Sequence, residues 1–220
     1  MPSLSRAQIA ERAARDIPDG AYVNLGIGLP TLVSNYVPPD RDVIYHSENG
    51  VLGMGPAPAK GEEDPDYINA SKQYVTLLPG ASIFHHTDAF IMIRGGHLDL
   101  ALMGGLQVSA QGDLANWSTG EAGTPPGVGG AMDLAAGAKQ VWILMEHTTR
   151  DGRPRLVERC TYPLTARRVV DRLYTSLAVI DVTADGLLVR EMAPGLEFAE
   201  LQRQTEATLR LANDWRPVGV

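Results

Sequence analysis

A single cysteine, Cys160, stands among 220 residues. It permits no internal disulfide and no cysteine-based metal cluster, and it agrees with a reducing compartment. Long apolar runs are absent too. The wholly apolar stretches, such as residues 141–145, fall far short of the roughly 20 residues that cross a bilayer. The first residues are polar and charged, without the apolar stretch of a secretion signal. Basic tracts are missing as well: 19 Lys+Arg against 26 Asp+Glu give a net charge of -7, and no segment could neutralise a row of phosphates. These absences argue against nucleic acid and membrane partners and lead us to expect a cytoplasmic protein.

What is present suits an ordinary globular chain, 44% hydrophobic and 20% charged. The length allows one sizeable core and is short for two, so a single domain over 1–220 is expected, with a tail from about 212 that can fray. Residues 4–17 read as a surface helix capped by Ser5, with Ile9, Ala10, Ala13, Ala14 and Ile17 on one face. Short extended runs at 21–25, 43–45, 74–78, 98–103 and 141–145 alternate with helix candidates after Thr31 and at 87–94 and 131–138. Residues 177–182 and 187–192 flank Ala184-Asp185-Gly186 as a hairpin, and a last helix is predicted over 197–211. The pattern predicts an α/β fold: an open, largely parallel sheet flanked by helices, with an antiparallel portion near the C-terminus.

In such sheets ligands bind beyond the carboxyl ends of the strands. Three loops qualify: 26–30, 47–50 and 123–131. The Gly26-Ile27-Gly28 turn lacks the third glycine of a dinucleotide fingerprint, and no acidic residue ends a second strand, so NAD is not supported. An isolated Gly-x-Gly is ordinarily just a tight turn; Pro30 at a helix start raises the alternative of amides free to face a polarised oxygen. Glu48, after a predicted strand and between Ser47 and Asn49-Gly50, reads either as a solvated turn residue or as a rigidly held base or nucleophile. His46-Ser47-Glu48 has the His-x-Glu spacing of zinc deaminases, but the single cysteine removes that option. No histidine pair has metal-ligand spacing, so no metal site is expected. Cys160 reads as an inert thiol, and Lys72 as either a solvated lysine or a phosphate contact.

Taken together the loops resemble one family. Asn24-Leu25-Gly26-Ile27-Gly28-Leu29-Pro30-Thr31 and Ser47-Glu48-Asn49-Gly50-Val51-Leu52-Gly53-Met54-Gly55-Pro56 look like the B subunit of the family I 3-oxoacid CoA-transferases. The likeness continues through Ile68-Asn69-Ala70, Met92-Ile93-Arg94-Gly95-Gly96-His97, Gly112-Asp113-Leu114-Ala115-Asn116-Trp117 and Gly129-Gly130-Ala131-Met132-Asp133-Leu134. The resemblance implies the NagB/RpiA-like CoA-transferase fold and a ping-pong transfer of CoA between carboxylic acids, with Glu48 as nucleophile and a glutamyl-CoA thioester as intermediate. It implies oxyanion donors at Gly28 and at the amides of Gly130 and Ala131, and CoA contacts from Asn24, Gly26, Gly28, Lys72, Asn116 and Gly130. It further implies a CoA thioester as substrate with no permanently bound cofactor, and an A subunit as partner, two of each chain. Ser71, where relatives often carry glycine, and the proline-rich segment 118–128 depart from the pattern at the rim of the acyl pocket. Phe84-His85-His86, Gly61-Glu62-Glu63-Asp64 and residues 160–165 look more like the 3-oxoadipate branch than the acetoacetate branch, with succinyl-CoA as donor. Two other readings remain open on the residues alone: a sugar-phosphate isomerase or lactonase, and a metabolite-sensing domain.

Overall fold

The computed structural model describes residues 2–38, 40–121, 123 and 127–219. Helix α1 (Arg6–Ala14) starts at a reciprocal capping box, in which Gln8 N donates to Ser5 Oγ (3.3 Å) and Ser5 N donates to Gln8 Oε1 (2.9 Å). Strand β1 (Tyr22–Leu25) leads through the glycine turn into a 3-10 helix (Leu29–Asn35), where the sequence suggests an α-helix. Strands β2 (Ile44–Ser47) and β3 (Val51–Met54) form a hairpin around Glu48, and β4 (Leu77–Ile83) completes that edge. The strand expected at 74–78 therefore lies later and includes Pro79 and Gly80. Their turn-like chemistry hides it in the sequence, but an edge strand tolerates a proline that cannot donate to a ladder.

Next come α2 (His86–Arg94), β5 (Leu100–Gly104), β6 (Gln107–Ser109), β7 (Leu114–Ala115), α3 (Ala131–Gly137), β8 (Gln140–Met145) and β9 (Leu156–Val157). The chain closes with β10 (Arg172–Thr175), β11 (Ala178–Thr183), β12 (Gly186–Met192), α4 (Phe198–Arg203) and β13 (Leu209–Pro217). One sheet runs β13-β12-β11-β10-β8-β5-β1-β2-β3-β4, and β7-β6-β9 form a small second sheet. From β10 to β2 the pairing is parallel, and β5 and β8 are buried through Leu100–Met103 and Val141–Met145, as their continuous apolar runs require. The expected antiparallel portion is present as β10-β11-β12, and β2-β3-β4 adds a second at the opposite edge.

The C-terminal helix needs correction. It stops at Arg203 instead of continuing to 211, and residues 209–217, expected to be helix end and tail, form β13 alongside β12. The reason is local competition for backbone groups. Thr205 Oγ1 donates to Leu201 O (2.9 Å), and Gln202 accepts from Leu209 N (2.9 Å) while donating to Ala207 O (3.0 Å), so the side chains of the last turn bind the chain that leaves it. No helix among the described residues is long and apolar enough to cross a membrane.

The topology places the site. From β1 the chain moves outward to β4 and then returns to β5 on the other side of β1. A crevice forms at the carboxyl ends of strands at such a switch point.

Candidate active site

A cavity of about 400 Å³ opens at this crevice. Its walls are the end of β1 and its glycine turn (Leu25, Gly26, Ile27), the end of β5, and residues 127–131 leading into α3, with Glu48 and Asn116 between them. Apolar side chains and glycine backbone make up most of the wall, and Glu48 is the one ionisable side chain on it among the described residues. A smaller cavity of about 120 Å³ lies beside the 3-10 helix and does not include Glu48.

The Glu48 turn is rigid for identifiable reasons. Gly50 N donates to Ser47 O (3.0 Å), and Gly50 takes φ 108°, where a side chain would be strained and would run into the Phe84 carbonyl. Ser47 Oγ accepts from Ala70 N (3.0 Å), and Asn49 Nδ2 donates to Ile68 O (2.7 Å). Ser47 and Asn49 thus anchor the turn to the 68–70 loop while Glu48 faces the cavity. Its carboxylate makes no ion pair among the described residues, and burial raises its pKa above the ordinary value. Such a carboxylate is poorly solvated and therefore a better nucleophile once ionised.

The other predicted residues separate into three groups. Gly26, Asn116, Gly130 and Ala131 share the cavity with Glu48. A Cβ on Gly26 would sit 3.0 Å from Leu102 O, so glycine is needed for close passage of the backbones. A Cβ on Gly130 would lie 3.4 Å from Glu48 Cδ and 3.1 Å from Phe90 Cζ, which sets this backbone directly against the carboxylate. The Gly130 amide has no acceptor among the described residues, whereas Ala131 N already donates to Val128 O (3.1 Å), so the expectation of an oxyanion donor at Ala131 is corrected: that hydrogen is committed to the turn. Asn116 is likewise engaged, donating to Gly104 O (3.1 Å) and accepting from Thr165 Oγ1 (2.6 Å).

Gly28 and Lys72 lie outside the wall. Gly28, exposed with φ 90°, neighbours Ile27 at the head of the 3-10 helix. Lys72 is exposed, its backbone held at φ 61° next to the 68–70 loop. Asn24 is placed differently from a CoA contact: it is 1% exposed and donates to His46 Nδ1 (3.0 Å) and His46 O (3.3 Å). Sequence reasoning misses His46 and Phe90 as site residues. Phe90 closes on Gly130, and the only sequence signal for it is its place in α2 next to buried Ala89. Cys160 donates weakly to Asp113 O, and burial pushes its thiol up to about 11, which suits an inert group.

The coenzyme A transferase family model matches residues 6–202. The chain belongs to this family. It is 58% identical to the B subunit of the 3-oxoadipate CoA-transferase of Acinetobacter baylyi, over 94% of this chain and 95% of that one. It is 60% identical to the B subunit of the 3-oxoadipate CoA-transferase of Pseudomonas putida, over 91% and 93%. To the B subunit of the probable succinyl-CoA:3-ketoacid coenzyme A transferase of Bacillus subtilis it is 47% identical, over 92% and 94%. Among solved structures, an acyl-CoA transferase from E. coli O157:H7 in thioester complex with CoA superposes with a TM-score of 0.74 at 19% identity, covering 100% of this chain and 43% of that one. The AibA/AibB decarboxylase superposes with a TM-score of 0.70 at 22% identity, over 98% and 90%. At those identities the structures speak for the fold alone, and a decarboxylase among them shows that this fold serves more than one reaction. The resemblance read from the sequence to a CoA-transferase B subunit holds, and the isomerase, lactonase and sensor readings give way to it.

Proposed function

We propose that this chain carries the nucleophile of a transferase that moves CoA from succinyl-CoA to a 3-oxo acid, with 3-oxoadipate preferred. The observation that carries the reading is Glu48 on its fixed turn, the one ionisable side chain on the cavity wall among the described residues, set against the Gly130 backbone. The names of the relatives that are 58% and 60% identical support the choice of acid.

In the first step a Glu48 oxygen attacks the thioester carbonyl, the carbon–sulfur bond breaks, and a mixed anhydride and CoA thiolate result. The thiolate then attacks the glutamyl carbonyl, succinate leaves, and a glutamyl-CoA thioester remains. The incoming carboxylate attacks that thioester, and the same two steps in reverse deliver the new acyl-CoA and restore the Glu48 carboxylate. No net proton is consumed, so the nucleophile has to be ionised at the start. Burial strengthens it but narrows the pH range in which it works. Each tetrahedral intermediate carries an oxyanion, for which the Gly130 amide is the nearest donor and Gly28 the second. Gly26 and Asn116 shape the wall for the pantetheine end of CoA, and Lys72 takes a phosphate. CoA is a substrate here and the chemistry needs no resident cofactor.

A partner of the A-subunit type, two copies of each chain, completes the enzyme in this reading, which operates in the cytoplasm. Exposed Ile27, Ile83, Ile91 and Met132, on the elements around Glu48, give the partner an apolar rim to cover. A second acceptor, acetoacetate, is favoured by one observation: no cationic side chain lines the cavity among the described residues, so the distal carboxylate of a diacid has no counter-charge on this wall.

The test is to assemble the chain with its A-type partner, add succinyl-CoA without acceptor, and record intact mass. A CoA adduct on Glu48, discharged by 3-oxoadipate faster than by acetoacetate, is expected. Glu48→Gln should form no adduct and retain acyl-CoA binding. An active wild-type assembly that never forms the adduct would refute the mechanism.

A further inference from the structure

We propose that His46, held by Asn24, is a positioning residue that sets Glu48 against the Gly26 turn; this rests on the nucleophilic role of Glu48 and extends it. Asn24 and His46 are the last register partners of the parallel β1/β2 ladder. Beyond them the sheet divides. β1 stays with β5, through Leu25 opposite Leu102 and Gly26 N donating to Leu102 O (2.7 Å), while β2 turns back along β3 through Ser47 opposite Val51. Gly26 and Glu48 lie two residues past the division, one on each branch. Side chains repeat every two residues along a strand, so Asn24 marks the face of position 26 and His46 the face of position 48.

The pair bridges the branches at their root. Asn24 Nδ2 donates both to His46 Nδ1 (3.0 Å) and to His46 O (3.3 Å), holding ring and backbone together. An amide nitrogen can only donate, so Nδ1 is unprotonated and the ring proton sits on Nε2. The imidazole is neutral and places no charge beside Glu48. Both side chains are 1% exposed, and Asn24 Oδ1 and His46 Nε2 are buried without a hydrogen-bond partner among the described residues. Two apolar side chains would fill this position with no orphaned group, so stability alone does not account for a polar pair directly before the reactive carboxylate.

The experiment uses the assembled enzyme with succinyl-CoA and measures three quantities: the single-turnover rate of glutamyl-CoA formation, KM for succinyl-CoA, and the melting temperature. His46→Leu should slow adduct formation by about 10- to 100-fold, the range expected when a nucleophile is displaced by an ångström or less, with KM within twofold of wild type. His46→Gln, whose side-chain oxygen can still accept from Asn24, should recover to within about threefold. Asn24→Ser, a small polar change that keeps the chain folded, should fall between them. The proposal is overturned if His46→Leu forms adduct at the wild-type rate, if His46→Gln is as slow as His46→Leu, or if every rate loss follows a matching loss of melting temperature. Absence of adduct in the wild-type assembly would instead remove the nucleophile reading beneath it, so the two failures are distinct.

Discussion

Replacing Gly130 with alanine separates the chemistry of the site from its stability. The backbone at Gly130 has φ -87° and ψ 9°, which alanine adopts without a left-handed penalty. The added methyl would lie 3.1 and 3.2 Å from the Phe90 ring, a contact relieved by a shift of a few tenths of an ångström in a half-buried side chain. That crowding costs about 1 kcal/mol, while the less flexible unfolded chain returns about 0.4–1 kcal/mol. The net change should stay within about 1 kcal/mol, or roughly 2–4 °C in melting temperature for a chain of this size. The same methyl sits 3.4 Å from Glu48 Cδ, in the space that a reacting carbonyl must enter to within about 3–3.5 Å. We therefore expect kcat/KM for CoA transfer to fall about 100-fold, or ~2.7 kcal/mol of transition-state stabilisation. Gly137→Ala is the contrasting control. Its methyl would collide with the Ile93 carbonyl, where α3 meets α2 and no flexible group can yield, so it should lower the melting temperature while leaving the adduct chemistry of the folded fraction intact. Thermal melts and steady-state assays on both variants decide the matter. A Gly130→Ala enzyme with activity within threefold of wild type, or one whose activity loss simply follows unfolding, would refute the placement of Gly130 over the nucleophile.

Acid should destabilise the protein through its buried histidines. Burial pushes His46 and His147 down to about 4 from an ordinary 6.5. Between those values the unfolded chain binds more protons than the folded one, so stability is full above pH 6.5 and is lost as pH falls towards 4, by about 1.4 kcal/mol per pH unit for each ring. Burial raises Glu48 and works in the opposite sense. Urea titrations at pH 7 and pH 5 should show the loss, and His147→Gln should remove close to half of the slope; an unchanged slope would contradict a neutral His147 held between Thr175 Oγ1 (2.9 Å) and Thr205 Oγ1 (2.8 Å). Arg12 meets Glu191 through two bonds, Nε to Oε2 (2.6 Å) and Nη2 to Oε1 (2.9 Å), both residues being buried. Arg12→Ala should cost about 3–5 kcal/mol in chemical denaturation, and Arg12→Met combined with Glu191→Met should recover most of it; a single-variant loss below about 1 kcal/mol would argue against a buried pair.

Local signals are legible where local physics decides the outcome. Ser5 and Gln8 start α1 by closing a capping box within four residues, and the hairpin of β11 and β12 turns at Gly186 with φ 104°. The Ser47-Glu48-Asn49-Gly50 turn is legible too, because a turn residue, a strand and a left-handed glycine are neighbours in the chain. The strand containing Pro79 and Gly80 is not, since only its edge position makes proline acceptable. The C-terminal strand reads as helix because its ladder partner, β12, is a tertiary neighbour that no periodicity names.

For the site the division falls in the same place. Sequence alone determined the nucleophile candidate, the glycine loops beside it and the family, because those depend on residue type and order along the chain. Only the tertiary structure decided that Gly130 lies against Glu48 while Ala131 spends its amide on Val128, and that Asn24 is buried against His46. Whether an amide is available to an oxyanion, or a polar side chain to a ligand, depends on which distant segments cover it and which acceptors they bring. Those partners are fixed by the packing of the whole sheet, and they leave no mark at the residue itself.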